Sequence, residues 1–145
     1  MDAAGFSLIQ QSIPSGSGLV VFDSNCVLCS KTVRMLLKAD KKKKLYFTGS
    51  NSAFCNRLIE QGMTLPQPES VLFISRTGLY KEAEAIPEIL KTCGLAVPAS
   101  MVRILLPKPV RSWLYRKIAR NRYRWFGQTQ QCILPAPEDS GRFFL

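Results

Sequence analysis

The stretch LVVFDSNCVLC, residues 19–29, decides how this 145-residue chain is interpreted. Its four leading apolar residues predict a short buried strand, and an amphipathic helix is predicted from Cys26 to about Ala39. Cys26 and Cys29 therefore fall at the corner where a strand passes into a helix. Two cysteines one helical turn apart can close into a disulfide or open to thiols with little movement of the backbone. This placement is typical of a redox-active dithiol.

The residues that follow predict a regular alternation of strands and helices. The expected elements are a strand at 45–48, a helix at 53–61, two strands at 71–74 and 79–82 joined by a tight turn, and a helix at 83–93. The order β-α-β-α-β-β-α, with the cysteine pair at the start of the first helix, predicts an α/β fold of thioredoxin-like architecture. Asp40 and the lysines 41–44 are expected to form an exposed turn between the first helix and the second strand.

The chain is expected to form one domain with three parts. Residues 1–17 are predicted to be a flexible lead-in, 18–94 the thioredoxin-like core, and 95–145 a basic helical extension with a tail, packed on that core. The extension has helical patterns at 98–106 and 110–126. The apolar positions of the second of these helices, which are expected to seat it on the core, are Trp113, Leu114, Ile118 and Trp125.

Composition argues against several kinds of site. The chain has no histidine, which removes Cys-His and Ser-His-Asp nucleophile systems and the commonest metal ligand. A zinc site usually needs four ligands in two pairs, whereas this chain has one cysteine pair and three isolated cysteines. Neither a metal nor another cofactor is therefore expected, and a cluster shared by the cysteine pairs of two protomers is the alternative.

The distribution of cysteines and apolar residues bears on the compartment. Five scattered cysteines form no disulfide scaffold, and residues 1–18 lack the features of a secretory signal. No apolar run approaches the ~20 residues of a transmembrane helix. The expected location is the cytoplasm, where a Cys-x-x-Cys pair remains available for redox chemistry.

The charge of the chain suggests a second class of function. The net charge is +10, and the segment between Glu88 and Glu138 has no acidic residue but nine of the 20 lysines and arginines. Such a segment, rich in aromatic residues, could bind nucleic acid, an acidic protein or an anionic membrane surface. The simpler interpretation is a docking helix whose aromatic residues pack inward while its arginines stay solvated. The residues of the possible anion-binding face are Arg116, Arg120, Arg122 and Arg124.

Motifs at both ends of the chain resemble one known family. The N-terminal motif is Asp23-x-x-Cys26-x-x-Cys29 after a strand, followed by Val33-Arg34 and Asp40. The C-terminal block consists of Tyr115-Arg116, residues 119–123, residues 125–127, Cys132 and Arg142-Phe143. Together these resemble the DCC family of thiol-disulfide oxidoreductases, and the C-terminal block is the more specific part. The resemblance implies a thioredoxin-like domain that exchanges thiols and disulfides with a protein or small-thiol partner, which it does not identify.

Two positions depart from the related patterns. The family usually has Ser-Asp-Ala after the hairpin, where this chain has Ala83-Glu84-Ala85, so any role of that serine is lost. Thioredoxins place a cis-proline just before the third strand, where this chain has Glu69-Ser70. The edge that binds substrate is therefore expected to differ from that of thioredoxin.

The chemistry assigns a role to each residue of the motif. Cys26, at the start of the helix, is the candidate nucleophile, because helix amides and the nearby Lys31 or Arg34 favour its thiolate. Cys29, one turn further along, is the candidate resolving thiol that releases the partner. Asp23 is a candidate proton relay, or a group that tunes the thiol pKa, and a helix cap or turn former is an equal alternative.

The other cysteines have simpler interpretations. Cys55 and Cys93 lie among apolar residues and are expected to be small buried side chains. Cys132 falls in the family-like tail, where packing is favoured over a role as a third thiol near the dithiol.

Overall fold

The computed structural model describes residues 3–22, 27–49, 52–62, 71–76, 78–94, 96–127 and 141–144. Their regular elements, in chain order, are α1 (Ala3–Ser12), β1 (Gly18–Phe22), α2 (Val27–Ala39), β2 (Leu45–Gly49), α3 (Ala53–Glu60), β3 (Leu72–Ser75), β4 (Gly78–Lys81), a 3₁₀ turn (Glu82–Glu84), α4 (Ala85–Thr92), α5 (Ala96–Leu105), α6 (Lys108–Phe126) and β5 (Phe143–Phe144). Among these residues, no helix is both long enough and apolar enough to cross a membrane.

The strands form one mixed sheet in the order β4-β3-β1-β2-β5. β1 runs parallel to β2 and antiparallel to β3, which in turn is antiparallel to β4. α2 joins the two parallel strands, because parallel neighbours need a long crossover connection, which is usually a helix. The predicted α/β fold of thioredoxin-like architecture is confirmed, with β1 at the centre of the sheet.

Every residue of β1 is buried, because helices cover both faces of the sheet. Val20 and Phe22 belong to one apolar cluster, with residues of α2 and α4. Leu19 and Val21 point to the opposite face and belong to a second cluster, with residues of α1 and α3. The uninterrupted apolar run at the start of the motif therefore marks a strand with helices on both sides.

Residues 3–13 differ from the flexible lead-in that the sequence analysis expects. They include the helix α1, which packs on α3. Ile9 is 1% exposed and Ile13 is 4% exposed, and both belong to the second apolar cluster. Two isoleucines four residues apart share one helix face, and burying that face stabilises a short helix that would not be stable alone.

The turn after α2 also differs from its prediction at one residue. The lysines 41–43 are exposed, as expected, but Asp40 is only 1% exposed. Its carboxylate accepts hydrogen bonds from the backbone N–H groups of Lys44 and Leu45, at 3.1 and 2.7 Å. Asp40 therefore shapes the turn from the inside, while the lysines remain in solvent.

The C-terminal residues return to the sheet as an added edge strand, which the sequence analysis missed. β5 runs parallel to β2, with Phe143 opposite Phe47 and their rings stacked at 5.4 Å between centroids. A strand of two residues is too short to show an alternating pattern, so the pairing depends on contacts far away in sequence.

α6 packs on the core through a face that differs from the predicted one. Trp113 and Trp125 are 61% and 53% exposed, and Leu114 is exposed as well, so the prediction that these residues seat the helix is wrong. Ile118 is half-buried. Tyr123 packs against the first apolar cluster instead. The helix ends at Phe126, and the φ of +88° at the following Gly127 suits glycine.

Candidate functional site

The predicted dithiol motif spans a strand–helix junction whose two ends are described. β1 ends at Phe22, and α2 begins at Val27. Asp23 and Cys26 lie outside the described residues, and for Cys29 the structure gives only its place in the backbone of α2. The motif is therefore bounded by the carboxyl end of the central strand and by the N-terminus of the crossover helix. The roles of its side chains stay predictions.

Three strands converge at this edge of the sheet. The parallel strands β1 and β2 both end there, and the antiparallel strand β3 begins there. Val21 pairs with Leu72, and continuing the register by one residue sets Val71 opposite Phe22. Val71, just before β3, therefore lies beside the last residue of β1. Open α/β sheets commonly bind ligands outside the carboxyl ends of their parallel strands.

A tyrosine of α6 is anchored at the same edge. The hydroxyl of Tyr115 accepts a hydrogen bond from the backbone N–H of Val71 at 3.0 Å. α6 also packs against α2 and against the 3₁₀ turn before α4. The C-terminal extension is therefore held beside the junction that carries the motif. The resemblance includes Tyr115, but nothing in local sequence pattern signals a contact between residues 44 apart.

The charges around the start of α2 are favourable to an anion. The first turn of the helix has no acidic residue, and its unpaired amides carry partial positive charge. Lys31 and Arg34 are exposed on the following turns. Partial positive charge at the N-terminus of a helix stabilises an anion placed there.

Comparison with known proteins assigns the family. The family model described as DCC1-like thiol-disulfide oxidoreductase matches residues 20–128, from β1 to just beyond α6. The chain belongs to the DCC1-like thiol-disulfide oxidoreductase family. The match contains the complete Cys-x-x-Cys motif and the tyrosine that holds α6 at the same edge of the sheet.

Two curated relatives are similar over most of the DCC1-like chain. One is the uncharacterized protein YuxK of Bacillus subtilis, which is 30% identical over 126 residues, covering 86% of this chain and 92% of the relative. The other is a chloroplastic DCC family protein of Arabidopsis thaliana, 28% identical over 118 residues, covering 80% of this chain and 69% of the relative. No solved structure matches the chain.

Two further thiols of this DCC1-like protein are buried within the core. Cys55 in α3 and Cys93 after α4 are free and buried, which confirms that they are small core residues. Burial raises the pKa of the Cys55 thiol. Burial and, to a smaller extent, the Asp40 carboxylate raise the pKa of the Cys93 thiol to about 11, against an opposing effect of Arg142. Both thiols are therefore protonated and weakly nucleophilic near neutral pH. Cys132 lies outside the described residues.

The predicted anion-binding face of α6 contains three of its four arginines. Arg116, Arg120 and Arg124 are exposed, but Arg122 is 4% exposed, so its assignment to this face is corrected. Successive residues of a helix are rotated by about 100°, which turns Arg122 away from the other three. Its guanidinium lies over the ring of Tyr123 at 4.8 Å and donates to the hydroxyl of that residue at 3.3 Å.

The segment Ala83-Glu84-Ala85, which departs from the usual family pattern, lies beside α6. Ala83 and Ala85 are buried, whereas Glu84 is exposed and forms an ion pair with Lys108 at 2.8 Å. That ion pair lowers the pKa of Glu84. In this chain the segment therefore contributes to the packing of the C-terminal extension. Within the described residues, no group of three or more cysteines and carboxylates could hold a metal ion.

Proposed function

We propose that this protein exchanges a dithiol and a disulfide with a thiol partner through Cys26 and Cys29. The observation that carries the proposal is that a DCC1-like family match includes a Cys-x-x-Cys motif bounded by Phe22 of the central strand and Val27 of α2. A nucleophile at that junction would precede the first turn of a helix, whose amides favour a thiolate. The proposed reaction needs no cofactor, because the two sulfur atoms carry both electrons.

The exchange proceeds in two displacements when the protein starts as the dithiol. The Cys26 thiolate attacks one sulfur of the partner disulfide, so that a mixed disulfide forms and the first partner sulfur leaves as a thiolate. Cys29, once deprotonated, attacks the sulfur of Cys26 and releases the second partner thiolate. The partner disulfide is reduced to two thiols, and the protein is oxidised to a Cys26–Cys29 disulfide. The reverse sequence oxidises a partner dithiol.

We propose that Asp23 takes the proton from Cys29 in the second displacement. The residue directly follows the last residue of β1 and precedes the nucleophile by three positions. The alternative role is a cap for α2, for which aspartate is equally suited. Replacing Asp23 with Asn distinguishes these roles. If Asp23 is the relay, Asn is expected to slow release of the mixed disulfide at neutral pH. If Asp23 is a cap, Asn, which caps a helix as well as Asp does, is expected to leave that rate and the stability unchanged, whereas Ala lowers the stability.

The partner is proposed to be a disulfide-containing protein or a small thiol in a reducing compartment such as the cytoplasm. Cys55 and Cys93 are free thiols within the described core. Neither takes part in the proposed chemistry, since burial keeps both thiols protonated.

The test is a disulfide reductase assay with the full chain, oxidised glutathione carrying paired fluorophores, and dithiothreitol as reductant. Cys26→Ser is expected to abolish turnover, because serine cannot form the mixed disulfide. Cys55→Ala and Cys93→Ala are matched controls that remove a thiol elsewhere and are expected to retain turnover. Activity that survives Cys26→Ser, or a wild-type protein without turnover on any disulfide, would refute the proposal.

A trapping experiment identifies the partner. Cys29→Ser lacks the resolving thiol, so it is expected to accumulate a mixed disulfide on Cys26 that reducing agent releases. The double variant Cys26→Ser/Cys29→Ser is the control and is expected to trap nothing.

A further inference from the structure

Exposed apolar side chains are concentrated where α5 turns into α6. The described residues include eleven exposed large hydrophobic side chains, and six of them lie between residues 101 and 114. We call these six the apolar corner: Met101, Ile104, Leu105, Val110, Trp113 and Leu114. Ile104 is 77% exposed and Leu105 is 67% exposed. Apolar side chains grouped in this way on a surface mark an interaction site more often than scattered ones do.

The apolar corner follows helical spacing on each of its two helices. Met101, Ile104 and Leu105 of α5 are related as i, i+3 and i+4, so they share one face of that helix. Val110, Trp113 and Leu114 repeat the same spacing on α6. Each group is turned to solvent, whereas residues such as Tyr115 are turned to the core. Each helix therefore has an exposed apolar face in addition to the face that packs on the protein.

The charge next to the apolar corner has one sign. The exposed basic residues of α6 are Arg116, Lys117, Arg120 and Arg124. Neither α5 nor α6 contains an acidic residue. Two carboxylates of the described residues form ion pairs with these helices, Glu88 with Arg103 and Glu84 with Lys108. The remaining positive charge on α6 is not balanced by these carboxylates and attracts an anionic surface.

We propose that the apolar corner and the basic face of α6 dock this protein on the surface of an anionic lipid bilayer. The aliphatic side chains would enter the boundary between headgroups and acyl chains, Trp113 would lie at headgroup level, and the four basic side chains would contact lipid phosphates. Trp113, Arg116 and Arg120 are all exposed on this side of α6, a combination suited to a phosphate headgroup. The proposal does not depend on the exchange chemistry.

Two other occupants fit the surface less well. Nucleic acid is bound by charge and by stacking on aromatic rings, which leaves Met101, Ile104 and Leu105 unexplained. A second copy of the chain would bring two surfaces of like charge together, in a protein whose net charge is +10. An anionic bilayer accounts for both the aliphatic and the basic residues.

The test is flotation of the full chain with vesicles of phosphatidylcholine alone and of phosphatidylcholine mixed with phosphatidylglycerol. The wild-type protein is expected to float with the mixed vesicles and not with the neutral ones. In a Trp125→Phe variant, the remaining Trp113 is expected to shift its emission to the blue when mixed vesicles are added. No flotation with mixed vesicles, or flotation equal with both, would overturn the proposal.

Apolar and charge variants separate insertion from simple attraction. Ile104→Ser/Leu105→Ser is expected to weaken binding to mixed vesicles by about 100-fold, since two apolar side chains lose their burial. Met35→Ser/Ile59→Ser is the matched control, because both side chains are exposed on other helices, α2 and α3, and it is expected to bind like the wild type. All four sites are exposed, and far-UV circular dichroism verifies the fold. Full binding by Ile104→Ser/Leu105→Ser would contradict insertion.

A second pair of variants tests the position of the charge. One replaces Arg116, Lys117, Arg120 and Arg124 with Gln, and the other replaces Lys38, Lys41, Lys42 and Lys91, which are exposed elsewhere, with Gln. Both variants remove four charges, so a difference between them reports the position of the charge. Only the first is expected to lose at least about tenfold in binding to the mixed vesicles, because its four residues would contact lipid phosphates. Equal losses would refute a specific face. Displacement from vesicles by polyuridylic acid or by an acidic protein at equal anion concentration would assign the surface to that class of partner instead.

Discussion

Asp40 and Arg142 form a buried ion pair between residues 102 positions apart. Arg142 Nη2 lies 2.5 Å from Asp40 Oδ2, and the two side chains are 7% and 0% exposed. The guanidinium also donates from Nε to the carbonyl of Leu45 at 3.0 Å. Asp40 meanwhile fixes the turn before β2, so one pair links that turn to the residue preceding β5.

Breaking this pair is expected to destabilise the fold strongly. Arg142→Ala leaves the Asp40 carboxylate buried without its cation, which is expected to lower the free energy of unfolding by about 3–5 kcal/mol. Urea unfolding followed by circular dichroism measures the change. Lys108→Ala is the control, because its ion pair with Glu84 is exposed, and the loss there is expected to stay below about 1 kcal/mol. Equal effects of the two substitutions would contradict a special role for the buried pair.

The Cys93 thiol, whose pKa Asp40 and Arg142 both affect, gives the protein a pH dependence in the alkaline range. Its pKa in the folded protein is about 11, whereas an unfolded cysteine has a pKa of about 8.5. Between these values the unfolded chain releases the proton and the folded protein keeps it. The free energy of unfolding therefore falls as pH rises through this window, by up to about 1.4 kcal/mol per pH unit, and this thiol has no effect below it.

Cys93→Ala removes this contribution. The wild-type protein is expected to lose more stability than Cys93→Ala when urea unfolding is compared at about pH 8 and about pH 10. The raised pKa of Cys55 adds a loss of the same sign, so Cys55→Ala is expected to flatten the profile as well. Identical alkaline losses in the wild type and in both variants would show that neither thiol is held protonated by the fold.

The core strands and helices could be predicted because their residues follow local patterns. β1 is an uninterrupted apolar run because it is buried on both faces, and α2 has apolar residues at helical spacing because it is buried on one face. Asp40 and Arg142 could not be paired in this way, since their contact joins distant parts of the chain. The two residues of β5 carry no pattern of their own, and they pair with β2 only once the sheet exists.

The C-terminal helix shows why residue type alone misleads. Trp113 and Trp125 are apolar and were expected inside, but the rotation of α6 leaves them in solvent. Arg122 was expected outside, but its guanidinium packs over Tyr123 within the protein. Arginine can be buried when its planar head stacks on a ring, so hydrophobicity does not decide which face docks. The candidate dithiol, by contrast, is recognised from its spacing and its position after β1.

Gly18 at the start of β1 is expected to tolerate no side chain. A Cβ atom added there would lie 2.2 Å from Cζ of Phe73, whose side chain is 1% exposed. Gly18→Ala is therefore expected to lower the free energy of unfolding by about 1–3 kcal/mol through overpacking. Gly141→Ala is the control, since a Cβ atom there meets nothing within 4 Å among the described residues, and its effect is expected to be within about 0.5 kcal/mol.

A double variant tests the cause of that loss. Phe73→Leu shortens the side chain that a Cβ atom at position 18 would meet. The combination Gly18→Ala/Phe73→Leu is expected to lose less stability than the two single losses added together. Additive losses in urea unfolding would mean that the two sites do not collide.

Tyr115 is expected to affect both stability and the proposed exchange. Tyr115→Phe removes the oxygen that accepts the N–H of Val71, which is expected to lower the free energy of unfolding by about 1 kcal/mol. Val71 lies beside Phe22, which the dithiol motif follows in the chain, so we also expect kcat/KM for a disulfide substrate to fall several-fold, mainly through KM. The pH profile set by the Cys26 thiol is expected to stay unchanged, because the hydroxyl acts by positioning the backbone.

Tyr123→Phe is the matched control for Tyr115, because it removes a hydroxyl from the same helix while the hydrogen bond from Val71 to Tyr115 stays intact. Its hydroxyl interacts with Arg122, so the variant is expected to lose stability while its kcat/KM remains close to that of the wild type. Steady-state kinetics with the labelled glutathione disulfide, compared with urea unfolding of the same samples, separates the two effects. If both variants lose activity in proportion to stability, Tyr115 acts only as a structural anchor. A selective loss in Tyr115→Phe would show that α6 shapes the substrate side of the dithiol edge.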